Sequence, residues 1–352
     1  MRYIIGALLL LNISAYSAAQ PAPSDSVRVQ VDPRIELMGA IQLLTDYPLV
    51  TNYEFPYRED VRAYFSAFSD HRAVRLFEEM DGEGFAFDAV PKAMLALTRS
   101  AELEPRISYP ERAVSAAGGT DSLRQFVDAL RDFAEASDFQ ALYRAHQGTY
   151  RSLVDSARRS IGNAMTVLRD YTGSPLTGAT IIIGPLLHDG GFAARYETET
   201  GEEAYALIGP TGVAGELPTF GSPKRIAGLT WHEFSHTVVN PLTEKHQSEI
   251  DRYASLLAPI GEPMREAGYT QWKTVVNEHI IRAIEVRLAH RQFGEEAGEQ
   301  ELVEQKERGF RYIDPLVEAL ATYEEDRPRY PTLSDVYPRL IAAFDRVEPT
   351  SP

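Results

Sequence analysis

The chain has 352 residues, 44% of them apolar, enough for a substantial core, and carries 51 acidic against 35 basic residues for a net charge of −16. That acidic balance argues against nucleic acid or an anionic membrane as a partner. With no cysteine, both a disulfide framework and a lipid-modified cysteine are excluded.

Residues 1–19 combine a positive start at Arg2, a short apolar run from Tyr3 to Leu11 and the small residues Ser17, Ala18 and Ala19, which is the pattern of a secretory signal peptide. The run is well short of a membrane span, and no later segment is long and apolar enough to be one. The mature protein is therefore expected to be exported and soluble, with no membrane insertion once the signal is removed.

Residues 20–172 read as a helical lobe. A polar lead gives way to an alternating strand at 27–31, and a helix follows with Asp32 as its cap and Pro33 in its first turn. Helical spacing recurs at 58–68, 73–80, 89–100, 121–136 and in one long run over 150–170. Aromatics such as Phe65, Phe126 and Phe133 belong to the core of that lobe. The character changes at residue 173. Two β-branched, glycine-bounded runs, 179–187 and 203–209, predict strands separated by a polar stretch that holds Gly190 and Gly191. Residues 210–228 are rich in Gly and Pro and read as an open segment bordering a cleft, either a lid or a plain connector. A helix over 229–239 follows, then helices at 244–257, 271–293, 299–323 and 333–344. These make residues 173–345 a second unit, with 346–352 a frayed tail.

The helix over 229–239 contains Trp231-His232-Glu233-Phe234-Ser235-His236. On a helix His232 and His236 project from one face and can share a single tetrahedral ion, while the Glu233 carboxylate can take a proton from a water that the metal activates. Apolar flanks (Trp231, Phe234, Val238, Val239) make this a buried helix, which seldom carries two histidines and a glutamate without partners. The plainer alternative is a core helix whose histidines bond to nearby carbonyls.

A catalytic zinc ordinarily has three protein ligands. The position six residues after His236 is Leu242, which rules out the metzincin pattern, and His246, Glu249 and Asp251 sit in a charged, solvated run. Glu278 is the better candidate, on an apolar helix where Glu278 and Glu285, seven apart, point the same way. Buried carboxylates need a cation. Zinc satisfies Glu278 in this reading, and Glu285 supports a ligand histidine from behind. Glu285 or Glu262 as the third ligand, and ion pairs of both glutamates with Arg282 or Arg287, stay open.

The signal peptide, the helical first half, His232-Glu233-Phe234-Ser235-His236 followed by Asn240-Pro241, and the later Asn277-Glu278 together resemble a bacterial domain-of-unknown-function family regarded as gluzincin-like zinc metallopeptidases. Gluzincins take their third ligand from a glutamate on a separate helix, often preceded by asparagine. The resemblance implies an α+β, zincin-like fold, mostly helical, with a small sheet ahead of the active helix. It implies Zn2+ as cofactor, His232, His236 and Glu278 as ligands, Glu233 as base, and Asn277 as a support for the site. A peptide or protein is the implied substrate, pairing with the upstream strand Tyr205, Ala206, Leu207 and Ile208. The donor that polarises the substrate carbonyl stays open among His188, Tyr205, Tyr269, His290 and Tyr312. From another class, an exported zinc-binding protein that no longer turns over, its cleft blocked by residues 210–228, is the competing expectation.

Overall fold

The computed structural model describes residues 27–347 except 100, 177 and 200. The expected signal peptide, the lead up to residue 26 and residues 348–352 of the tail lie outside the described residues. Strand β1 (Arg28–Gln30) falls on the alternating stretch, and Asp32 caps α1 (Pro33–Gln42) by accepting from the Arg34 amide at 3.0 Å. The same buried carboxylate holds the Arg34 guanidinium at 2.8 Å, and Arg34 reaches on to the carbonyls of Leu95 and Leu97 at 3.0 and 2.6 Å. Asp32 thus starts the helix, and the Arg34 it holds anchors that helix to the chain some sixty positions on.

Helices α2 (Pro56–Phe65), α3 (Arg72–Gly82), α4 (Ala89–Leu95), α5 (Glu111–Ala116), α6 (Thr120–Ala136) and α7 (Phe139–Ala145) complete the first helical layer. The single helix expected over 150–170 is two, α8 (Gln147–Ile161) and α9 (Ala164–Thr172), because Gly162 at φ 53° ends the first in a left-handed conformation. Helices α5 and α7 are too short for a periodic signal.

Strands β2 (Ala179–Ile183), β3 (Gly191–Thr198) and β4 (Gly201–Ile208) join β1 in one sheet of order β1-β2-β4-β3, parallel except for β3. β2 is buried throughout, which explains its uninterrupted β-branched run. β3 lies in the stretch read as a polar connector. Its residues Gly191 to Glu197 carry no strong alternation, and its strand state is set by pairing with β4. β1 comes from the segment read as the helical lobe, and buried side chains from Val29 to Phe344 form one cluster.

Residues 210–228 are not open chain. β5 (Gly212–Ala214) and β6 (Leu217–Thr219) form a hairpin, and the Ser222 hydroxyl accepts from the Arg225 amide at 3.2 Å to cap α10 (Pro223–Lys245). Pro223 at the first turn suits a helix start, so α10 begins well before 229, and it continues through the exposed Pro241. Beyond it come α11 (Gln247–Ile250), a 3₁₀ stretch over 251–260 in place of the second half of the helix expected at 244–257, α12 (Gly261–Glu266) and α13 (Trp272–Phe293). The helix expected over 299–323 is α14 (Glu295–Glu307) and α15 (Ile313–Glu325), parted at Gly309 with φ 94°, and α16 (Leu333–Ala342) closes the fold. The architecture is α+β, mostly helical with a small sheet, and α10 lies between β3 and β4 on one side and α13 on the other. Among the described residues no helix is long and apolar enough to cross a membrane.

One buried acid in the first layer has a consequence for stability. The Glu36 carboxyl accepts from the Tyr57 hydroxyl, which lies 2.8 Å from that of Tyr150, while its second oxygen has no partner among the described residues. Burial pushes this carboxyl up to about 8. In the unfolded chain it ionises near its ordinary value of 4.5. Between those two values the folded state therefore binds more protons, and stability falls as pH rises. Glu36→Gln is expected to remove that slope. Denaturant titrations at about pH 5 and about pH 9 should show the variant gaining roughly 2–5 kcal/mol on wild type over the interval, and parallel curves would refute the assignment.

Candidate metal centre

α10 and α13 pack side by side and bring the motif histidines against the carboxylates of the second helix. The apolar face of α10 is fixed by buried Trp231, Phe234 and Val239, with the Trp231 indole donating to the Ala164 carbonyl at 2.9 Å. That leaves His232, Glu233 and His236 on a half-buried face. His232, Glu233 and His236 each offer a ligand atom within 4.8 Å of the others, a group that could hold a metal ion. Glu278, only 4% exposed, meets them from α13, one oxygen 3.7 Å from His232 Nε2 and the other 3.5 Å from His236 Nε2.

Each histidine is oriented from behind. His232 Nδ1 lies 3.1 Å from a Glu285 oxygen, and His236 Nδ1 lies 3.2 Å from Asn240 Oδ1. With Nδ1–H donating to these acceptors, both Nε2 lone pairs are turned toward Glu278. The expected support from Asn277 is different. Its carbonyl accepts from the Thr243 hydroxyl, which in turn accepts from the Tyr337 hydroxyl, so Asn277 ties α13 to α10 and α16 and touches neither histidine. Asn240 was the residue to look for, and its spacing of four from His236 on one helix was the available signal.

The ion pair expected as one alternative for Glu278 is present. Arg282 does pair with it, at 3.2 Å, and also donates to Gln305 at 3.0 Å while lying over the Phe310 ring. Arg287 pairs instead with Glu324, and Glu262 is exposed on α12. Among the candidate polarising donors, the Tyr269 hydroxyl lies 3.4 Å from the Arg282 guanidinium that pairs with Glu278. Tyr205 is turned to Glu203 and Tyr312 to the Leu256 carbonyl, while His188 takes the Gly190 amide and His290 packs on Gly298.

The electrostatics of the carboxylates diverge. Burial raises Glu233 above the usual carboxylate range, only partly opposed by His232. Burial acts the same way on Glu278, yet His232, His236 and Arg282 outweigh it and hold that carboxyl below its ordinary value. Burial also opposes charge on His232, but Glu285, with Glu233 and Glu278, raises it to about 9. The surrounding carboxylates thus favour positive charge at His232.

Beside His232 and Glu233 opens a cleft of about 430 Å³, walled by Lys224 and Arg225 of α10 and by Arg282, Glu301 and Arg308 across from them. Ser222 and Gly228 also line it, so the end of the supposed open segment borders the cleft as the start of a helix. Another cavity of about 280 Å³, between β1 and the α8–α9 corner, is lined by Val29, Arg158 and Met165 and includes neither histidine.

The expected substrate strand needs correction. Tyr205, Ala206, Leu207 and Ile208 lie on β4, which is hydrogen-bonded to β2 on one side and β3 on the other and has no free edge. The terminal strand beside α10 is β3. Gly191 faces Leu229, and Arg195 donates to the His236 carbonyl at 3.0 Å, so β3 meets α10 at Leu229 and at His236.

A largely helical α+β protein with a metal-capable His-Glu-His face on its central helix is the class that fold and site define. Residues 27–343 match the family described as Domain of unknown function (DUF4932), and the chain belongs to that family. No curated protein and no solved structure matches.

Proposed function

We propose that this protein is a zinc-dependent, gluzincin-like peptidase with a zincin-like core, in which His232, His236 and Glu278 hold the metal and Glu233 is the general base. The observation that carries the reading is the convergence of two freed Nε2 atoms on opposite oxygens of one carboxylate, at 3.7 and 3.5 Å. Those separations are too long for hydrogen bonds. They are close to the edge of roughly 3.3–3.4 Å between ligands that sit about 2.0–2.1 Å from a tetrahedral zinc. Two imidazoles and a carboxylate are also a donor set that suits zinc.

Bound there, zinc supplies a Lewis acid that polarises the peptide carbonyl and makes water acidic enough to attack near neutral pH. Glu233 takes the proton of the attacking water and passes it to the leaving amine, a task that favours the raised carboxyl. Glu278 stays anionic as a ligand should. Environments that push two neighbouring carboxylates in opposite directions support this division of labour.

Extended substrate pairs with the outer edge of β3 in this reading. The Gly209 amide donates to the Gly190 carbonyl at 3.1 Å, which sets the alternation and turns the backbone groups of Ala193 away from β4. Ala193→Pro deletes an outward N–H without touching the ladder, a change that edge strands tolerate. It should lower kcat/KM on peptides about 10-fold with zinc content unchanged, and unaltered kinetics would remove β3 from the substrate path.

The experiment that tests the whole reading is hydrolysis of a mixed pool of unfolded peptides, read by mass spectrometry, with zinc-loaded, chelated and re-loaded protein. Cleavage that follows the metal supports it. Full zinc occupancy without cleavage favours the exported zinc-binding protein that does not turn over. Export belongs to the same proposal, and protein recovered from its host should begin near Gln20; a membrane-bound chain that retains residues 1–19 would count against it.

A further inference from the structure

We infer that the proposed active site takes an internal stretch of extended polypeptide rather than a chain terminus, an inference that rests on the peptidase reading above. The outer edge of β3 runs from Gly191 to Thr198, about 23 Å at about 3.3 Å per residue. At its first end Gly191 meets Leu229, which lines the cleft of about 430 Å³ that holds His232 and Glu233. At its other end Arg195, bonded to the His236 carbonyl, joins Glu197 and Glu199 as one wall of a second groove of about 730 Å³, with Ile107, Ser108 and Pro110 opposite. The strand edge therefore connects a trough that holds His232 and Glu233 to a second trough beside the His236 carbonyl, and a bound chain has room on both sides of the bond to be cut.

Capture of a terminus needs the opposite arrangement. A terminal carboxylate or ammonium is held by a concentration of one charge at a closed end. Both troughs carry mixed charge instead. Arg225 and Arg308 share the first with Glu301 and Glu304, and Arg106 shares the second with Glu203, to which it is paired at 2.7 Å. What remains constant along the path is backbone, and edge pairing selects for extended conformation with little demand on side chains. Unfolded segments of protein are the substrate class. In the step itself the water oxygen bonds to the carbonyl carbon, the C–N bond breaks and the amine leaves with the proton, so no further reactant is required.

The test uses peptides acetylated and amidated at their ends, with about four, about eight or about twelve residues around one cleavable bond. Zinc-loaded protein should cut them internally, with kcat/KM rising at least ~10-fold from the shortest to the middle length and then levelling. Glu197→Pro, which removes an outward N–H from the far half of β3, should erase that gain while zinc content and melting temperature hold. Should that variant not fold, the wild-type length series decides. Cleavage confined to peptides with a free end, or rates indifferent to length, would overturn the inference and leave the peptidase reading standing. No cleavage of any peptide, blocked or free, would defeat both.

Discussion

Glu233→Gln should keep its zinc and lose at least ~100-fold of kcat/KM on peptides, the usual scale of general-base catalysis. The substitution preserves size and hydrogen bonding while removing the lone pair that accepts the proton. Glu233 lines the cleft beside His232, and it is Glu278 whose oxygens face both Nε2 atoms. Loss of activity is therefore expected without loss of metal. Metal analysis and initial rates on one internally cut peptide, run on the same preparation, check both halves of the statement. Undiminished cleavage would assign the activity to another site or to a contaminant. Loss of zinc would make Glu233 a ligand, as its place within 4.8 Å of the histidine donors allows, and would exchange its role with that of Glu278.

His232→Ala and Glu278→Ala should each weaken zinc binding by at least ~100-fold, beyond the 10–100-fold typical of residues that only orient a ligand. Each removes one of three donors, and the metal is left with a pair that fixes no geometry. Glu278→Ala also strips Arg282 of its carboxylate inside the core. An unpaired buried charge is itself destabilising, so Glu278→Gln, which keeps the shape of that contact, is the cleaner companion variant. Zinc titration with a competing chelator, alongside a thermal melt, separates metal loss from unfolding. Retained affinity in Glu278→Gln with lost affinity in Glu285→Gln would transfer the ligand role to Glu285.

His232, Glu233 and His236 were legible because their relation is local: spacing of one and four on a helix determines the face they share, whatever surrounds it. The cap at Asp32 and the strand at β2 were legible for the same reason. Glu278 and Glu285 could be singled out because acids seven apart on an otherwise apolar helix demand a cation. The opposite shifts of the Glu233 and Glu278 carboxyls could not, since they depend on burial and on cations supplied by other elements.

Chain breaks at Gly162 and Gly309 were missed because apolar periodicity runs across them, and only backbone φ ends the helix. Asn277 was expected to support the site because it precedes Glu278 in sequence, whereas the asparagine bonded to His236 is Asn240, one turn beyond it. The sequence by itself determined a helix whose His232, Glu233 and His236 could hold a metal ion, and the acid-bearing helix that packs against it. Only the tertiary structure decided which of the strands packed on α10 lies at the edge of the sheet. β3 has a weak local preference and becomes a strand by pairing with β4, and that pairing covers the very residues, Tyr205 to Ile208, that composition made the better strand. A free strand edge is a property of what lies next to a strand, and no local pattern encodes it.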